Sequence, residues 1–109
     1  MTPLKILYLA AEVVPFVKTG GLADVAGALP KAIRSFGHDI RVAMPRYGRI
    51  EPERFGLERI VEGLNICMDE RDEEAAILRG SIGSGEAETP VYFVDNARYF
   101  DRQGIYMYG

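Results

Sequence analysis

The pattern of apolar and polar positions in the first 45 residues predicts a β-strand, a helix and a second strand. Residues 5–10 are almost continuously apolar, which is typical of a strand buried on both faces of a parallel sheet. From residue 22 to residue 36, apolar side chains recur at steps of three and four, which predicts an amphipathic helix. Residues 39–44 form the next apolar run, and Pro45 ends it. This order predicts a βαβ unit with two parallel strands.

Two residues modify the predicted helix. Pro30 lies inside it and cannot donate to the carbonyl of Ala26, so we expect a kink between these positions. Gly37 follows the last apolar position and is typical of a helix C-terminus.

The second half of the chain predicts a hairpin and a further strand. Apolar and polar residues alternate over residues 64–68, and residues 74–82 are a second extended candidate. The acidic turn between them predicts an antiparallel hairpin on one edge of the sheet. Residues 90–94 are apolar and predict a third parallel strand, while Cys67 is expected to face a core and to be inert. The fold class is therefore α/β: a Rossmann-like parallel sheet with a β-hairpin insertion.

Composition narrows the classes of function. The chain has 109 residues, enough for one domain, and is 48% hydrophobic and 27% charged, as ordinary globular domains are. The net charge of −3 and the lack of Lys/Arg runs argue against nucleic-acid binding. The single cysteine excludes an internal disulfide, and no apolar stretch reaches the ~20 residues of a membrane span. Because the first strand begins close to Met1, we expect no signal peptide and a cytoplasmic protein.

The loop between the first strand and the helix, residues 18–22, has the sequence Lys-Thr-Gly-Gly-Leu. Glycines let a ligand approach the backbone closely, and the first turn of a helix offers unpaired N–H groups and partial positive charge. A phosphate is the anion usually bound there, and Lys18 would add a full charge. The alternative is a tight strand-to-helix connection with a solvated lysine. The loop matches neither the dinucleotide Gly-x-Gly-x-x-Gly pattern nor the Gly-x-x-x-x-Gly-Lys phosphate loop.

Four further side chains are candidates near this loop. Glu12 follows the first strand, at the sheet edge where α/β proteins bind ligands, and could accept from a substrate hydroxyl or pin the loop. Thr19 lies within the loop itself. Asp24 could bind sugar hydroxyls or only complement the helix dipole. Arg46 could hold an anion or a sugar, or it could be solvated or paired with the nearby glutamates at 51 and 53. The sequence contains no cluster of metal ligands and no Cys/His or Ser/His pair of a nucleophilic enzyme, so we expect neither a metal nor a cofactor.

At this point the sequence resembles a known family. Residues 5–12, 15–25, 27–30, 37–42 and 45–47 are very similar to the N-terminus of the ADP-glucose-dependent glycogen and starch synthases. Residues 90–96, 99–102 and 104–106 are also similar to that family. The resemblance covers nearly the whole chain and is weakest over residues 55–88.

The resemblance implies a retaining glucosyltransferase of the GT-B architecture, in which two Rossmann-like domains close over a cleft. The N-terminal domain binds the α-1,4-glucan acceptor (glycogen), the C-terminal domain holds most of the ADP-glucose, and no metal takes part. This chain would be a partial N-terminal domain, with the donor-binding domain absent. Position by position, Lys18 corresponds to the family's ADP-glucose-binding lysine, and Gly20 and Gly21 to the loop against the donor. Asp24 corresponds to an aspartate near the same site, and Tyr106 to a tyrosine that lines the cleft.

Two alternatives remain open at this stage. The chain could be a non-catalytic glucan- or nucleotide-binding α/β module from a truncated gene, since it stops directly after an aromatic-rich segment. It could also be half of a dehydrogenase, but the dinucleotide glycine pattern and an acidic residue closing the second strand are both missing.

Overall fold

A computed structural model describes residues 2–47, 50–68 and 71–96 of the chain. Within these residues an α/β arrangement of five strands, two α-helices and one short 3-10 helix is present. In chain order the elements are β1 (Lys5–Leu9), α1 (Gly21–Ser35), β2 (Asp39–Pro45), α2 (Pro52–Phe55), β3 (Glu58–Met68), β4 (Arg71–Ile82), the 3-10 helix (Gly85–Ala87) and β5 (Thr89–Asp95).

The described strands form one mixed sheet in the order β1-β2-β5-β4-β3. β1 pairs in parallel with β2, and β2 pairs in parallel with β5, so the predicted βαβ unit and third parallel strand are confirmed. β3 and β4 form an antiparallel hairpin, and β4 joins it to β5. The predicted hairpin insertion is therefore also confirmed, and it occupies the edge of the sheet opposite β1.

One face of the sheet carries most of the core. Alternate residues of β2 and β5 are buried on this face, where α1 lies against both strands. The buried side of α1 consists of small residues: Ala23, Ala26, Gly27 and Pro30. Because small side chains line the contact, the helix backbone can approach the sheet closely.

The larger apolar residues of α1 do not face this core. Leu22, Val25 and Leu29 are exposed in the structure, although the sequence pattern places them on the same apolar stripe as Ala26. The apolar stripe therefore has two sides: the side with small residues packs on the sheet, and the side with Leu22, Val25 and Leu29 is exposed.

Two expectations about burial are wrong. β1 is not buried on both faces: it is an edge strand in this sheet, and Leu7 and Leu9 are 63% and 73% exposed. Cys67 does not face a core but is exposed on β3, the outermost strand on the other side. Because side chains point out of the plane of a sheet, this exposure shows that no described element covers these faces.

Candidate functional site

The loop that connects β1 to α1 is held by a buried carboxylate. Glu12 is only 3% exposed, and each of its oxygens accepts a hydrogen bond from Thr19. The Thr19 N–H donates to Oε1 and the Thr19 hydroxyl to Oε2, both at 2.6 Å. Of the two sequence interpretations of Glu12, the structure supports the one in which it pins the loop.

Buried apolar residues also anchor the same loop to the core. Val13, Phe16 and Val17 belong to the core, and the N–H groups of Phe16 and Val17 both donate to the Val13 carbonyl. The Phe16 ring lies edge-on to Phe93 of β5, with 4.8 Å between the ring centres. The segment that precedes Lys18 is therefore part of the folded core.

The loop is also fixed to the helix that follows it. The Val14 N–H donates to the Ala23 carbonyl at 3.2 Å, and Val14 packs on Gly27. A Cβ on Gly27 would lie 2.5 Å from Val14 Cγ2, so only glycine permits this approach. The sequence pattern contains no signal that identifies Gly27 as a contact point between loop and helix.

The paired glycines lie open at the start of α1. Gly20 is the N-cap residue and has no side chain with which to bond the first-turn N–H groups. A Cβ on Gly20 or Gly21 would meet no atom of the described chain within 4 Å. Gly20 has φ −163°, which any residue can adopt, so its conformation does not require glycine. What the two glycines provide is unoccupied space beside uncapped N–H groups.

Lys18 and Asp24 form an ion pair at the start of α1. Lys18 Nζ lies 2.8 Å from Asp24 Oδ2, and the two side chains are 53% and 55% exposed. Asp24 lies in the first turn of α1, so the ion pair brings the ammonium group to the positive end of the helix. An ion pair this exposed is weak and can be replaced by a stronger anionic partner.

Chemically, this arrangement suits an anion with several oxygens. Uncapped N–H groups at a helix start bind such oxygens, and a lysine ammonium group adds a point charge with three donors. The bare backbone at residues 20 and 21 lets the ligand come close. The structure thus brings together Glu12, Lys18, Thr19, Gly20, Gly21 and Asp24, all of which were selected from the sequence.

Arg46 is not part of this group. Its guanidinium pairs with Asp95 at 3.2 Å and donates to the Ile50 carbonyl. Asp95 is only 11% exposed and also lies 3.6 Å from Arg59. The expectation that Arg46 is solvated or paired with Glu51 or Glu53 is therefore wrong, because β5 brings Asp95 beside the end of β2. Tyr106 lies outside the described residues.

The hollow at the ends of the parallel strands has a different character. It measures about 420 Å³, and the described residues that line it are all apolar: Leu9, Ala10, Ala11, Ala43, Met44, Pro45 and Val94. The described residues that line it include Ala10 and Ala11 of the loop but no charged side chain that could bind an anion.

Two kinds of feature are absent from the described residues. They contain no group of three or more His, Cys, Asp and Glu side chains that could hold a metal ion. No helix among them is both long enough and apolar enough to span a membrane.

Comparison with known proteins gives one consistent result. The family model of the starch synthase catalytic domain matches residues 5–109. The chain is 50% identical over 107 residues to the glycogen synthase of Moorella thermoacetica, covering 98% of this chain and 21% of the relative. It is 49% identical over 107 residues to glycogen synthase 1 of Geobacter sulfurreducens, covering 97% and 21%.

A solved structure agrees with these relatives. The catalytic domain of starch synthase IV from Arabidopsis thaliana, bound to ADP and acarbose, superposes with a TM-score of 0.79 at 27% identity. The match covers 98% of this chain and 22% of that one. The chain therefore spans about a fifth of the length of the proteins it matches.

Proposed function

This chain belongs to the starch synthase catalytic domain family, and from this we propose that it is the N-terminal segment of a glycogen synthase. The complete enzyme transfers glucose from ADP-glucose to the non-reducing end of an α-1,4-glucan, with retention of configuration. The observation that supports this most directly is the loop before α1, where Lys18 lies beside the uncapped start of the helix.

The chemistry of the transfer requires such a loop. When the bond between glucose and the diphosphate breaks, negative charge develops on the departing phosphate oxygen and the sugar becomes oxocarbenium-like. N–H donors and a cation that are already in place stabilise this charge without rearranging. In our proposal the first-turn N–H groups and Lys18 supply these interactions, and Gly20 and Gly21 leave room for the donor.

In this proposal Asp24 acts both before and after the donor binds. Its contact with Lys18 holds the ammonium group at the helix start before the donor arrives. The incoming diphosphate then takes over the ammonium group, and the Asp24 carboxylate is released to accept hydrogen bonds from sugar hydroxyls.

Most of the donor contacts belong to the remainder of the enzyme. The chain spans 21% of its glycogen synthase relatives, so we propose a GT-B protein whose donor-binding domain is not part of this sequence. The ADP and acarbose bound by the Arabidopsis neighbour support a nucleotide-sugar donor and a glucan acceptor. A cytoplasmic location follows from the same proposal, since glycogen is built there.

The decisive experiment is a chimera in which this chain replaces the aligned segment of the Moorella thermoacetica enzyme. We expect the chimera to incorporate labelled glucose from ADP-glucose into glycogen, and the isolated chain to incorporate none. A folded chimera that binds glycogen or ADP but transfers no glucose would instead favour a non-catalytic binding module.

A further inference from the structure

Glu12 is a buried carboxylate that no substrate can reach directly. It is 3% exposed, and each of its oxygens accepts a hydrogen bond from Thr19. Burying a carboxylate is costly unless it is well bonded, and hydrogen bonds to a charged group are the strong ones. The two contacts at 2.6 Å satisfy that requirement.

The contacts close a ring from Glu12 to Thr19. Inside the ring, the Val13 carbonyl accepts from two N–H groups, and Val14 is bonded to the helix. The residue at which the ring closes is followed at once by Gly20 and preceded at once by Lys18. Fixing Thr19 therefore fixes the two peptide groups that determine where Lys18 and the glycines lie.

We propose that Glu12 is a positioning residue for glucosyl transfer, which it supports by holding Thr19 and, through it, the Lys18 side chain. This inference rests on the proposed function. Glu12 contacts neither donor nor acceptor. It keeps the cation and the glycine backbone in their binding arrangement before the donor arrives, so that none of this order has to be created during the reaction.

The kinetic test uses Thr19, because replacing Glu12 itself could unfold the loop. In the chimera, Thr19→Val removes the hydroxyl contact but keeps the branched shape, and Thr19→Ser keeps the hydroxyl. We expect Thr19→Val to lower kcat about tenfold or more with a smaller change in KM for ADP-glucose. Thr19→Ser should remain within about threefold of the unaltered chimera. Equal activity of the two variants would overturn the proposal.

A double-mutant cycle separates positioning from general stability. If Glu12 and Thr19 act mainly through Lys18, Thr19→Val should lower kcat much less once Lys18→Ala is present, and the loss that remains reports on the glycine backbone. An equal loss in both backgrounds would mean that Thr19 acts independently of Lys18, against the proposal.

A third measurement does not depend on catalysis. In the isolated chain, the Thr19 amide should exchange its hydrogen at least tenfold more slowly than in an unfolded peptide of the same sequence. Unprotected exchange would show that the contact with Glu12 does not persist in solution, and the proposal would fail. An inactive unaltered chimera would count against the proposed function, whereas the exchange rate tests the Glu12 contact by itself.

Discussion

Lys18 is the residue on which the proposed donor chemistry depends most. The Lys18 side chain is half exposed and pairs with the equally exposed carboxylate of Asp24, so it contributes little to the stability of the fold. Removing it should therefore affect the reaction far more than stability. The same reasoning applies to Gly20 and Gly21, whose open surroundings have no role in packing.

We expect Lys18→Ala in the chimera to lower kcat at least a hundredfold, because one charge-stabilising group is worth roughly 3 kcal/mol of barrier. Lys31→Ala is the matched control, since Lys31 is an exposed lysine on α1 outside the loop. The control should keep its full rate. A Lys18→Ala enzyme with near-normal turnover at saturating ADP-glucose would contradict the assignment.

How far the sequence predicts single residues depends on the kind of contact. Lys18, Gly20, Gly21 and Asp24 could be selected because their chemistry is local to one loop and one helix turn. The partner of Arg46 could not, since Asp95 is 49 residues away and is brought near only by the pairing of β2 with β5. The choice between two roles for Glu12 likewise required its burial to be known.

At the level of elements, the contact between the loop and α1 determines where the site lies. Val14 bonds to Ala23 and packs on Gly27, so the loop is fixed to the first half of the helix. Helical periodicity predicts α1 well, because its signal is a repeat along the chain. It does not reveal which side of the stripe is buried. Here small residues face the sheet, and Leu22, Val25 and Leu29 do not.

Gly27→Ala tests this contact. The added Cβ would meet Val14 Cγ2 at 2.5 Å and its carbonyl oxygen at 3.3 Å. Overpacking of this kind costs about 1–3 kcal/mol, against which alanine recovers about 1 kcal/mol of helix propensity. We expect the free energy of unfolding of the isolated chain, measured in urea, to fall by about 1 kcal/mol.

Gly21→Ala is the matched control on the same helix, because nothing lies within 4 Å of its added Cβ. Its free energy of unfolding should stay the same or rise by up to about 1 kcal/mol. If the two variants unfold at the same urea concentration, Val14 and Gly27 are not in close contact in solution.

At the scale of the whole molecule, the two edges of the sheet are formed by different kinds of strand. The hairpin of β3 and β4 forms one edge, and β1 forms the other with exposed Leu7 and Leu9. The sequence predicts the strands and the hairpin, but not that β1 is an edge strand. An apolar strand in the middle of a sheet and one at its edge have the same pattern, and only the pairing distinguishes them.

An apolar edge strand favours association of the isolated chain, because its unpaired backbone groups can bond to another copy. We expect Leu9→Lys to reduce concentration-dependent self-association, measured by sedimentation velocity, while the free energy of unfolding changes little. Leu29→Lys adds the same charge on the exposed side of α1 and should reduce association less. Equal effects of both variants would indicate that general charge repulsion, not the β1 edge, is responsible.

The position of Cys67 has a practical consequence. It is the sole thiol in the sequence and lies in solvent on β3, four strand spacings or about 19 Å across the sheet from β1. A maleimide dye or a surface linker would therefore react at one position in each molecule. The isolated chain could then be tethered or followed by fluorescence without engineering any new attachment point.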